Sequence, residues 1–246
     1  MKPASAQRLP RSVPLRRRAL ARPFFALLLP VSLALPGLLS GCASPPTPDW
    51  QINAGSALQR MQQALLQGND RVATNEYQRA RAEVASTGRP ELVARVELLR
   101  CAAWTASLQF EPCEGFERLR LDAAEPERAY AAYLRGHLDA GQRSLLPPAQ
   151  QPLALAPQDE AAQLAALQAT ADPLSRLLGA ALWLRAGQAS PAVIELAVQT
   201  ASAQGWRRPL LSWLAVQQQR ARAAGDIPEA NRIGRRIELV LQGRDG

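Results

Sequence analysis

The sequence predicts an all-α fold built from antiparallel helical hairpins, and three observations carry that expectation. After residue 50, alanine, leucine, glutamine and arginine dominate while isoleucine, valine and threonine are sparse, a bias toward helix and away from strand. Apolar residues recur at three and four positions, the period of one helical face. Helix ends are punctuated as well. Asp172-Pro173 and Ser190-Pro191 pair a capping residue with proline at the first helical position, where the missing N–H costs nothing. Gly68, Gly88, Gly136, Gly187, Gly205, Gly225 and Gly243 stand where helices should stop. With 47% hydrophobic residues, 5% aromatic ones and three cysteines in 246 residues, the chain is neither collagen-like, disulfide-dense nor a multi-span membrane protein.

The first element is a targeting segment over residues 1–41. Of 29 basic and 21 acidic side chains (+8), it holds Lys2, Arg8, Arg11, Arg16, Arg17, Arg18 and Arg22 and no acid. The remaining 205 residues balance 22 basic against 21 acidic groups, which argues against a nucleic-acid footprint. Arg16–Arg18 precede an apolar run, Phe24 to Leu39, that ends in Leu39-Ser40-Gly41-Cys42. A basic region, an apolar region and small residues before a cut are the marks of a secretory signal. The run is shorter than the roughly 18 to 20 residues a membrane span needs, and Pro30 and Pro36 interrupt it.

Leu39-Ser40-Gly41-Cys42 resembles the lipobox of bacterial lipoproteins. The resemblance implies cleavage before Cys42, a diacylglyceryl thioether on its sulfur and acylation of its new amino group. Several acyl chains, at about 0.8 kcal/mol per buried CH₂, anchor far more firmly than one. An aspartate after the cysteine usually retains such proteins in the inner membrane; Ala43 stands there, so the resemblance implies the outer membrane and a periplasm-facing body. With Cys42 acylated, Cys101 and Cys113 remain as an even pair in an oxidising compartment, which favours a structural disulfide. A redox pair would show Cys-x-x-Cys and a zinc site about four ligands. Neither pattern is present, and no metal or other cofactor is expected.

Residues 42–50 make a proline-rich tether. At about 3 Å per residue it keeps the body within roughly 20 Å of the bilayer. N-terminal hairpins follow over 51–144, with faces Leu58/Met61/Leu65, Ala73/Tyr77/Ala80/Val84 and Leu92/Val96/Leu99/Ala103. Residues 145–157 carry four prolines and form either a domain linker or a long connection within one array. C-terminal hairpins occupy 158–246, with faces Leu174/Leu177/Leu178/Ala181/Leu184, Ile194/Ala197/Val198/Ala201, Leu210/Leu214/Gln217/Ala221 and Ala230/Ile233/Ile237/Val240/Leu241. Gly68, Ala73, Tyr77 and Ala80 match the small, Ala, large, small spacing of tetratricopeptide repeats. Gly187, Ala192 and Leu196 match three of those positions, and Gly225 and Ala230 two. The spacing resembles a degenerate tetratricopeptide array, in which small residues let paired helices approach and the large one fills the groove. The resemblance implies a solenoid; an irregular helical bundle is the other arrangement the pattern fits.

Little in the chain reads as chemistry. His137 is a lone histidine beside Gly136, read as a surface or capping residue. Glu111 and Glu114 flank Pro112-Cys113 between Phe110 and Phe116, an acid pair that makes a wall-modifying enzyme one alternative. No Gly-x-Ser-x-Gly, His-Glu-x-x-His or phosphate-binding glycine loop is present. Trp206-Arg207-Arg208 with Trp213, and the pair Tyr130 and Tyr133, are the candidate partner-binding residues, since Trp, Tyr and Arg are enriched in binding hot spots. The alternative for the tryptophans is core packing. The arginines of 207–236 make the C-terminal hairpin basic, a charge read first as a solvated face. The expectation is therefore a non-enzymatic lipoprotein held in the bilayer through Cys42. Its helical array serves as a scaffold or adaptor for an unidentified envelope protein, in organisation like tetratricopeptide lipoproteins of pilus, barrel or wall assembly. A carrier of an apolar ligand is the remaining alternative.

Overall fold

The computed structural model describes residues 46–154 and 159–243. The expected signal segment, the cleavage site and Cys42 lie outside the described residues. Within them the chain is all-helical: α1 (Asp49–Gln67), α2 (Asp70–Ala85), α3 (Pro90–Ala106), α4 (Glu114–Glu117), α5 (Glu125–Leu134), a 3-10 turn at Ala140–Leu145, α6 (Gln151–Ala154), α7 (Glu160–Ala169), α8 (Pro173–Arg185), α9 (Pro191–Ala203), α10 (Arg207–Ala223) and α11 (Ile227–Gln242). No strand occurs among the described residues.

Local chemistry sets the helix ends. Asp172 accepts from the Ser175 N–H at 2.7 Å and Ser190 from the Val193 N–H at 3.2 Å, each followed by proline at the first helical position. The Asn69 and Asp226 side chains cap α2 and α11 by accepting from the Val72 and Glu229 N–H. Gly68 ends α1 with φ 81°, a left-handed conformation that costs glycine nothing. α1 starts at Asp49, inside the stretch expected to be tether.

α3 organises the interior. Its buried residues, Val93, Ala94, Val96, Leu98, Ala102, Ala103 and Ala106 among them, fall on several sides of the helix, while Arg95 and Arg100 stay exposed. Val93 and Val96 pack with Ala54, Ala57, Ala80 and Val84. Ala94, Leu98 and Ala102 pack with Phe116, Ala131, Tyr133 and Leu178. Ala103 and Ala106 join the largest cluster, where Leu65, Leu66, Leu177, Ile194, Val198, Trp213, Leu214 and Ile233 meet. Fully burying one such side chain contributes about 1.5 to 3 kcal/mol.

The antiparallel neighbours α1–α2, α8–α9, α9–α10 and α10–α11 pack on one another, and α3 also packs on α8 and α1 on α10. In the described part of the proline-rich stretch, 145–154, the prolines are exposed while Leu146, Gln150 and Leu153 are buried. Leu146 and Leu153 are each 2% exposed and belong to different clusters. Leu153 rests on Gly179 of α8, where a Cβ would come within 2.8 Å of it.

Among the repeat-spaced residues, Ala73, Ala80 and Ala230 are buried and Tyr77 is half-buried. In α9 the buried face is Val193, Ile194, Ala197, Val198 and Ala201. Ala192 and Leu196, which carry the repeat spacing there, are half-buried beside it.

Candidate functional site

Two cavities open on opposite faces of α3, because residues at i, i+3, i+4 and i+7 share one face. Arg95, Leu98, Leu99 and Ala102 line the first; Glu97, Arg100, Cys101 and Trp104 line the second.

The first cavity, about 480 Å³, lies between α1, α3, α5, the 3-10 turn and α8. Its walls are largely apolar: Leu98, Leu99, Ala102, Leu145, Leu146 and Leu174. A polar seam crosses them. Gln150 Nε2 donates to the Tyr130 hydroxyl at 3.2 Å and to Ser175 Oγ at 3.3 Å. Burial pushes the Tyr130 phenol up to about 12, so it stays protonated near neutrality. Glu127, 4% exposed, accepts from Arg95 Nε through Oε1. Its Oε2 and the Gln150 Oε1 have no hydrogen-bond partner.

The second cavity, about 410 Å³, is more polar. Glu97 is 2% exposed. Its Oε1 accepts from the Tyr77 hydroxyl at 2.7 Å and from Arg81 Nε at 3.0 Å, while Oε2 accepts nothing from the described residues. Gly115 stands against that oxygen so closely that a Cβ would lie 2.1 Å from it. The Arg100 guanidinium sits 4.6 Å from the Tyr77 ring centroid, a cation–π contact. Cys101 and Cys113 form one wall as a disulfide, with Cα atoms 5.9 Å apart. Glu111 and Glu114, the acid pair singled out in the sequence, are exposed residues of the same lining, with Arg118.

The partner-binding candidates separate into three environments. Trp206 is 6% exposed and Trp213 fully buried, its Nε1 donating to the Ala106 carbonyl at 3.2 Å. Both are core residues, so the contact reading is corrected for them in favour of packing. Arg208 pins α10 to the α1–α2 turn. Its Nε donates to the Leu65 carbonyl at 2.7 Å, it pairs with Asp70, and its guanidinium lies 4.5 Å from the Trp104 ring centroid. A cation is favoured there because the last carbonyls of α1 carry the negative end of the helix dipole. Arg207 is half-buried beside Gly68. Tyr133 is 5% exposed and packs in the core, whereas Tyr130 reaches the first cavity. His137 is exposed.

Sequence reasoning missed Glu97, Glu127 and Gln150. Glu97 left a weak signal: it shares its helical face with Ala94, Cys101 and Trp104, but Arg100 stands on that face too. Gln150 left none, since its role depends on contacts with α5 and α8. Among the described residues no group of three or more His, Cys, Asp or Glu side chains is placed to hold a metal ion, and no helix is long and apolar enough to cross a membrane. No protein-family model, curated protein or solved structure matches the chain.

Proposed function

We propose that the chain is a lipid-anchored helical adaptor of the bacterial outer membrane that seats an apolar segment of an envelope protein in the first cavity. The observation carrying this reading is the open, largely apolar cavity of about 480 Å³ against α3, within the size range of sites that enclose small ligands or a few side chains. Its apolar walls supply area, and the polar seam of Glu127, Tyr130, Gln150 and Ser175 gives a seated segment polar groups to meet. The lipobox resemblance at Cys42 supplies the anchor. Tetratricopeptide-like spacing at 68–80 supports a solenoid ancestry, while the α1–α10 and α3–α8 contacts favour a closed bundle, since solenoid repeats touch only their neighbours. The adaptor carries out no reaction in this proposal.

Two measurements test it. A photo-crosslinking residue at Leu99 or Leu145 should capture one envelope protein that the same residue at exposed Glu238 does not; identical products at all three positions would refute the groove. Radiolabelled palmitate should mark the wild type and leave Cys42→Ala unlabelled, and equal labelling would refute the anchor.

A further inference from the structure

We propose that the second cavity, centred on Glu97, is a binding site for a neutral saccharide, distinct from the apolar groove on the other face of α3. The argument begins with the carboxylate. A nearly buried acid is normally satisfied at both oxygens, because an unpaired acceptor away from water is costly. Tyr77 and Arg81 satisfy only Oε1. Oε2 lies against Gly115, whose missing side chain leaves room for the carboxylate itself in the cavity wall. Oε2 is thus an acceptor, on a carboxylate held from behind through Oε1, that a ligand in the cavity can engage in place of water.

Charge then selects the donor. Three carboxylates line the cavity, Glu97, Glu111 and Glu114, with two guanidiniums, Arg100 and Arg118, and Arg81 neutralises Glu97 from behind. Signs are therefore balanced. An anionic ligand meets three carboxylates, and a cationic one meets the arginines beside them. A neutral molecule avoids both conflicts and uses both groups, giving hydroxyl protons to the carboxylates and accepting from the guanidiniums. Trp104, half-buried in the same wall, adds an apolar surface. Alternating hydroxyls over a carbon–hydrogen face match this mixture, and a sugar ring carries both. The wall is also preorganised, since α3 packs against α1, α2, α5 and α8 and the disulfide fixes Cys113 to it, which lowers the entropic cost of binding.

The test uses the full chain in mild detergent, with maltotriose and the N-acetylglucosamine trimer as probes, read by saturation-transfer NMR and tryptophan fluorescence. At least one trisaccharide should bind, with an affinity little changed by added salt, because a neutral ligand gains nothing from long-range charge. Glu97→Gln should weaken it by about tenfold, the loss of one charge-assisted hydrogen bond. Gly115→Ala should abolish binding by pushing the carboxylate aside. Circular dichroism checks that each variant is folded. Should either fail to fold, the exposed pair Glu111→Gln with Arg118→Met carries the test, with a weakening of about tenfold expected. Absence of binding by both trisaccharides at about 10 mM, a concentration that detects even weak sites, overturns the proposal. So does binding that none of these variants changes, or stronger binding of the zwitterion Ala-Ala, of acetate or of methylammonium. Crosslinking at Leu99 and Leu145 reports on the other cavity, so failure of the adaptor reading and failure of this one are distinguishable.

Discussion

All three tyrosines hold their phenolic protons above the usual range, chiefly because burial penalises the phenolate. The Tyr77 phenol is raised by burial and further by its hydrogen bond to Glu97. Tyr130 rises to about 12, and burial raises Tyr133 as well. Below the ordinary value of 10.0 the phenols are protonated in folded and unfolded chains alike, so stability there does not depend on them. Above it the unfolded chain loses its protons first, and stability falls as pH rises from 10.0 through about 12. Phenolate absorbance should therefore appear together with loss of helical circular dichroism in this window; three tyrosines titrating freely in a folded chain would contradict the burial. Tyr133 adds a sharper expectation. Its hydroxyl is buried without a hydrogen-bond partner, so Tyr133→Phe should raise stability by about 1 kcal/mol in urea melts at neutral pH. At this scale the sequence was legible in part. Glu97 shares its face with Ala94, Cys101 and Trp104 and with the charged Arg100, and which side chains meet it depends on residues 16 and 20 positions away, which spacing along one helix cannot report.

Helices were legible wherever chemistry is local. Caps at Asp172 and Ser190 need only the residues that follow them, and six of the seven punctuating glycines have positive φ, Gly243 being the exception. Which face of a helix is buried was harder to read. A single-face reading of α3 captured Val96 and Ala103 but not Val93, Ala94, Leu98 or Ala102, because neighbours cover the helix from several directions. α11 shows the converse: Leu239 is 70% and Leu241 47% exposed, since α10 is its main packing partner and covers one face only. The segment between α3 and α4 depends on its covalent tie. Cys101 and Cys113, 12 residues apart, enclose Leu108, which adopts φ 62°, a backbone conformation unfavourable for a side chain of its kind. Cys101→Ser should lower stability by about 3 kcal/mol in urea melts. Reductant should shift the wild type by the same amount and leave the variant unmoved. A wild-type curve insensitive to reductant would mean that the bridge does not constrain the unfolded chain.

The whole molecule depends on contacts that cross its middle. Four prolines at 145–157 read equally well as a linker or as a connection, because proline content reports a break in helix and not what packs around it. The three-dimensional answer lies in distant residues. Leu146 and Leu153 feed separate clusters, Trp213 donates to the carbonyl of Ala106, and Arg208 donates to that of Leu65. Each of these hydrogen bonds joins the C-terminal half to the N-terminal one. Ala103 and Ala106 complete a cluster that otherwise draws heavily on α8, α9 and α10, so neither half can complete this largest cluster alone. Separately produced fragments 46–144 and 158–246 should therefore show reduced helicity and no cooperative melt, whereas the intact chain unfolds in one transition. Mixing them should restore part of the helical signal if α3 finds α8. Arg208→Met tests the same coupling by substitution. It removes a charged hydrogen bond to a carbonyl and an ion pair while keeping an unbranched side chain, and should cost about 1.5 to 3 kcal/mol, with a single transition retained. Two separated transitions in the intact chain would show instead that the halves fold independently and that the shared cluster contributes little to holding them together.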